Sequence, residues 1–102
     1  MSEQEFQKII ESFQQEVQTE QEKRVAACFD NNSSDINEYI YCMNKLMDSS
    51  DKLGKLTTPS IFFTMAKTQQ CIQKNPAGQT QCWNSSIDFL KDRLKFIYKN
   101  FK

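Results

Sequence analysis

Four cysteines, each a few residues from a helix-breaking segment, constrain this chain more than any other feature. Cys28 and Cys42 flank Asp30-Asn31-Asn32-Ser33-Ser34, and Cys71 and Cys82 flank Asn75-Pro76-Ala77-Gly78. Clusters of Asp, Asn, Ser, Pro and Gly turn the backbone instead of continuing a helix. Each pair therefore sits on two segments that reverse direction between them, where Cα atoms come within the roughly 4.4–6.8 Å that a disulfide demands. Four cysteines allow three pairings, and this geometry selects Cys28–Cys42 and Cys71–Cys82. Thirteen residues separate the first pair and ten the second. Closing loops of that size contributes about 3 kcal/mol each on a chain-entropy argument. A chain of 102 residues buries a modest fraction of its surface, so such staples carry weight.

The segments between the breakers read as helices. Phe6, Ile9, Ile10, Phe13 and Val17 recur at helical spacing and the stripe resumes at Val25 and Cys28, which predicts an amphipathic helix over about 3–29. Asp35 with Glu38 three residues later resembles a capping box, and Ile36, Tyr39, Ile40, Met43, Leu46, Met47 and Leu53 carry a second helix toward Gly54. Thr58-Pro59 is a strong helix start, because Pro at the first helical position gives up an N–H that has no partner there. A third helix is expected from there to about Lys74. Trp83, Ile87, Leu90, Leu94, Ile97 and Phe101 then alternate four and three apart, the cleanest stripe in the chain and a fourth helix. With only two Gly and two Pro, an all-β chain is disfavoured. The expectation is a single all-α domain over 1–102, built as two disulfide-stapled antiparallel hairpins, 3–54 and 58–101.

Catalytic chemistry finds little to work with. The chain has no histidine, which removes Cys/His and Ser/His mechanisms, and no Cys-x-x-Cys for dithiol catalysis. The cysteine spacings lack the close knuckles of structural zinc sites. Gly54 and Gly78 form no phosphate-binding loop, and Glu20/Glu22 and Asp48/Asp51 read as solvated carboxylates. The sequence reading is therefore no enzyme and no cofactor. Formal charge is zero, so no nucleic-acid partner is expected. Apolar runs such as Ile61-Phe62-Phe63 fall far short of the roughly 18 residues of a membrane span, and neither a secretory signal nor a transit peptide is read at the acidic N-terminus. Charge is nevertheless uneven. Residues 1–22 hold six Glu against Lys8, and 91–102 hold Lys91, Arg93, Lys95, Lys99 and Lys102 against Asp92. The two ends are suited either to attract each other or to select separate partners.

The last helix carries more apolar residues than one packing stripe uses. Cys82, Phe89 and Phe96 form a second line at seven-residue spacing, and Tyr98 widens the end. Rings beside Lys95, Lys99 and Lys102 have the composition of an interface in which aromatics supply burial and cations select an acidic partner or lipid headgroups. The expected partner-binding set is Phe89, Lys95, Phe96, Tyr98, Lys99 and Phe101. Core filling between the hairpins is the competing reading of Phe89 and Phe96.

Cys28, Cys42, Cys71 and Cys82 in their hairpin context resemble the twin-cysteine helical-hairpin proteins of the mitochondrial intermembrane space, the coiled-coil-helix–coiled-coil-helix group and the small Tim chaperones. Members of the first group carry Cys-x9-Cys within a helix, whereas both spacings here straddle a breaker. The outer cysteines of the small chaperones would fall near Arg24 and Leu46, or Lys67 and Ser86. The resemblance implies import without a presequence and trapping by oxidative folding. It also implies a location in the intermembrane space, associated with the inner membrane. The function expected is a non-catalytic accessory subunit packed against protein subunits of a larger assembly, such as a respiratory complex. Two alternatives stand beside it: a small Tim-like chaperone of hydrophobic segments, and a scaffold with free thiols in a reducing compartment.

Overall fold

A computed structural model describes residues 2–101, so Lys102 of the basic end lies outside the described residues. The described chain is three α-helices and one short 3-10 turn, with no strand. Helix α1 spans Ser2–Asn32, α2 spans Ile36–Lys74 and α3 spans Gln79–Phe101, with the 3-10 turn Pro76–Gly78 before α3. Asp35 caps α2 as its sequence position suggests: its Oδ1 accepts from the Asn37 amide at 3.0 Å and the Glu38 amide at 3.4 Å. The first helix runs three residues beyond the expected end, and the Asn32 side chain closes it by donating to the Cys28 carbonyl at 2.9 Å.

Three helices stand where four were expected, because Gly54 and Pro59 lie inside α2 instead of between two helices. The division into hairpins 3–54 and 58–101 is replaced by one 39-residue helix about 58 Å long. Propensity alone argues against this, at about 1 kcal/mol for an interior Gly and about 3 kcal/mol for Pro. Packing overrides it, since most helical stability in proteins comes from the buried face. Leu46, Leu53, Thr64 and Thr68 are all buried and keep one helical phase on both sides of Pro59. Lys55, whose carbonyl loses its usual donor at Pro59, points to water.

The register of contacts orders the three rods. Cys28 bonds Cys42 and Gln21 donates to Ser50, so α1 and α2 are antiparallel. Cys71 bonds Cys82 and the Arg93 side chain reaches Ser60, so α2 and α3 are antiparallel too. Helices α1 and α3 consequently run in the same direction. Phe6 meets the Trp83 ring edge-on at 5.6 Å, and the Arg24 guanidinium sits 4.4 Å from the Phe101 centroid. Phe6, Phe13 and Val17 from α1, Leu53 from α2, and Ile87, Leu90, Leu94, Ile97 and Phe101 from α3 form the core. The molecule is a rod of 63 × 20 × 15 Å.

Where α2 and α3 approach beside Cys71–Cys82, the buried contacts are hydroxyls. Thr64 donates to the Ser60 carbonyl at 2.7 Å, Thr68 donates to the Thr64 carbonyl at 2.8 Å, and the Thr68 and Ser86 hydroxyls bond across the interface. Small side chains let the two helices close up, and every buried hydroxyl in this row has a partner.

Continuity of α2 makes a direct prediction. A Cβ built on Gly54 meets nothing within 4 Å, and no glycine has a positive φ. Gly54→Ala should therefore stabilise the protein by about 1 kcal/mol, read as a higher urea midpoint at unchanged slope. A turn at this position would make the same substitution destabilising.

Candidate functional site

All four cysteines are bonded, as Cys28–Cys42 and Cys71–Cys82, with Cα separations of 5.7 and 5.8 Å. They fasten opposite ends of the rod in different surroundings. The Cys71–Cys82 end is three helices thick, with Phe6 and Trp83 alongside and the Thr68–Ser86 bond one turn inward. Among the described residues the Cys28–Cys42 end is built from α1 and α2 alone, with Phe101 of α3 lying under Arg24. Beyond that level only Cys28 and Leu46 are buried, while Val25, Phe29, Ile36, Ile40, Tyr41 and Met47 are exposed. Phe29 and Tyr39 pack edge to face there at 6.2 Å.

The six residues expected to bind a partner divide between three places on α3. Phe101 is in the core and belongs to the intramolecular stripe. Phe89 and Phe96 lie on the flank next to α2 and stay 47% and 54% exposed, so they do not fill the core between helices. Lys95, Tyr98 and Lys99 lie on the other flank, in a groove between α3 and α1. Tyr98 is half-buried there, edge-on to Phe13 at 6.4 Å and tilted against Phe101 at 6.3 Å.

The α2 flank is an aromatic strip that the sequence reading found only in part. Phe63 of α2, 53% exposed, meets Phe89 at 6.1 Å. The register set by Ser60 and Arg93 brings exposed Leu56 level with Phe96. Two residues seven apart on each helix, Leu56 and Phe63 against Phe89 and Phe96, thus make one strip along the seam. Cations border it: Arg93 lies 5.3 Å from the Phe96 centroid and Lys67 lies 5.8 Å from that of Phe63. A cleft of about 290 Å³ next to Phe63 and Phe89 leads to the Cys71–Cys82 bond. The signal for Phe63 and Leu56 was present as a seven-residue spacing, but it crosses Pro59 and was hidden by the expected break.

Acidic α1 and basic α3 lie side by side without joining through the lysines. Lys8, Lys91, Lys95 and Lys99 take part in no ion pair among the described residues, and the pairs Arg24–Glu20 and Lys55–Asp51 each lie within one helix. No group of three His, Cys, Asp or Glu side chains among the described residues is placed to hold a metal ion. No described helix is long and apolar enough to cross a membrane. Comparison with protein-family models, with curated proteins and with solved structures finds no match.

The difference between the rod's ends is measurable. Replacing Cys28 and Cys42 by Ser should accelerate amide exchange about a hundredfold over residues 25–45 and leave the three-helix body protected, because the bond supplies most of what holds that tip. Replacing Cys71 and Cys82 should have a smaller local effect, since buried packing remains around them. Equal or reversed protection changes would contradict this assignment.

Proposed function

We propose that this chain is a non-catalytic accessory subunit that packs on a larger protein assembly through the Leu56, Phe63, Phe89 and Phe96 strip. The strip itself carries the proposal: three half-exposed phenylalanines converge on one seam without serving the chain's own core. Surface area points the same way. The chain exposes 7392 Å², against about 6,000 Å² for a compact monomer of 12.0 kDa. That excess of about 1,400 Å² exceeds the roughly 800 Å² that each partner of a standard protein interface loses from water. Aromatic and Arg side chains are also what interface centres accumulate, and Arg93 beside Phe96 fits that pattern.

Two disulfides require a compartment where thiols oxidise. Together with the twin-cysteine resemblance, this supports the intermembrane space and an inner-membrane assembly as the setting. The rigid stapled rod is then a lateral brace, and its partner is a protein surface with apolar pockets for the rings.

The test is native electrophoresis of mitochondria carrying the tagged chain, with a protease-protection arm after outer-membrane rupture. The wild-type chain should migrate with an assembly far above its own mass and become protease-sensitive only on rupture. The variant combining Phe63→Ser, Phe89→Ser and Phe96→Ser should leave the assembly while its purified form keeps wild-type helicity. Migration as a monomer, or only as a ring of its own copies holding hydrophobic peptides, would contradict the accessory-subunit reading.

A further inference from the structure

Helices α1 and α3 run in the same direction and leave a groove of about 730 Å³ between them. Ile9, Phe13, Leu94 and Tyr98 form its floor. A second hollow shares Ser12, Glu16 and Tyr98 with it and extends the groove to Lys23, so the α1 lip from Lys8 to Lys23 is about 22 Å long. Lys91, Lys95 and Lys99, four residues apart, make the α3 lip, a row of cations about 12 Å long. Across the first hollow, Lys8 adds a fourth cation and Glu16 is the one acid. None of the four lysines is in an ion pair among the described residues.

We infer that this groove seats an acidic amphipathic helix of a partner protein, with apolar residues on the floor and a row of Glu or Asp four apart facing Lys91, Lys95 and Lys99. A helix fits because neighbouring helices present ridges and grooves to a third at interaxial distances of about 8–10 Å. Charge complementarity chooses its sign and its face. The cation spacing also separates a helix from an acyl chain. One carboxylate or headgroup reaches one or two of three lysines spread over about 12 Å, and small-ligand pockets enclose most of their ligand, whereas this groove is open along its length. A second copy of the chain fits poorly. Its acids at four-residue spacing are only Glu16/Glu20 and Asp88/Asp92, with no third member in either row, and Glu20 is paired with Arg24. The inference does not depend on the aromatic strip, which lies on the other flank of α3.

A display library of helical peptides of about 18 residues, with leucine at the seam positions and the rest randomised, tests this against the oxidised full chain. Selection should enrich peptides with three acids at four-residue spacing. The triple variant Lys91→Gln, Lys95→Gln, Lys99→Gln, which alters only exposed side chains, should bind them about tenfold more weakly, and added salt should erase that difference. The Phe63, Phe89 and Phe96 triple variant should bind them as wild type does, so the two surfaces stand or fall separately. Failure to enrich any peptide, enrichment without the acidic row, undiminished binding by the lysine variant, displacement by palmitate at stoichiometric amounts, or self-association that blocks the groove would each overturn the inference.

Discussion

One helix of 39 residues is fastened to a neighbour near each of its ends by a disulfide, and the rest of the structure hangs on that arrangement. A lone helix with Gly and Pro in its middle third is a poor candidate for continuity. Here the disulfides fix the register of α1 at one end and of α3 at the other, and both helices then lie along the same spine. Fixing both ends aligns Phe6 with Trp83 and Arg24 with Phe101, so α1 and α3 pack on each other as well as on α2. The core is consequently a line of side chains along a rod instead of a cluster at the centre of a globule.

A rod of this kind has consequences for its surface. A line-shaped core covers fewer faces than a spherical one, so apolar side chains at seven-residue spacing are left on the seam between α2 and α3. The α1–α3 pair leaves a second seam with lysines on one lip. Among the described residues the Cys28–Cys42 end consists of two helices joined by the staple, with Cys28 and Leu46 its buried apolar side chains. The two seams differ in chemistry, one aromatic with cations at its border and one apolar below a cationic row. That difference is why they are assigned to different contacts.

Much of this was legible in the residues. The α1 and α3 stripes place Phe6, Phe13, Val17, Ile87, Leu90, Leu94, Ile97 and Phe101 in the core, and the cysteines pair as the turns between them demand. Asp35 announces its cap because N-capping is a local interaction. The unbroken α2 was not legible from local rules, since Thr58-Pro59 is as good a helix start as a mid-helix strain. The phase of Leu46, Leu53, Thr64 and Thr68 across Pro59 held the answer, but two of those four are hydroxyl residues that a hydrophobic count passes over. Phe63 and Leu56 were missed because their seven-residue spacing crosses the break expected at Pro59, and the split of the basic end into a strip and a groove follows only from knowing which helix lies on each flank of α3.

The central claim is a continuous α2 that makes the chain a rod. Small-angle X-ray scattering of the oxidised monomer tests it most directly. The radius of gyration over Cα atoms is 17.8 Å, so solution scattering should give about 18 Å with the asymmetric distance distribution of a rod. Two hairpins folded against each other at residues 54–58 would form a globule, for which a chain of this length gives about 13 Å, and that value would contradict the account.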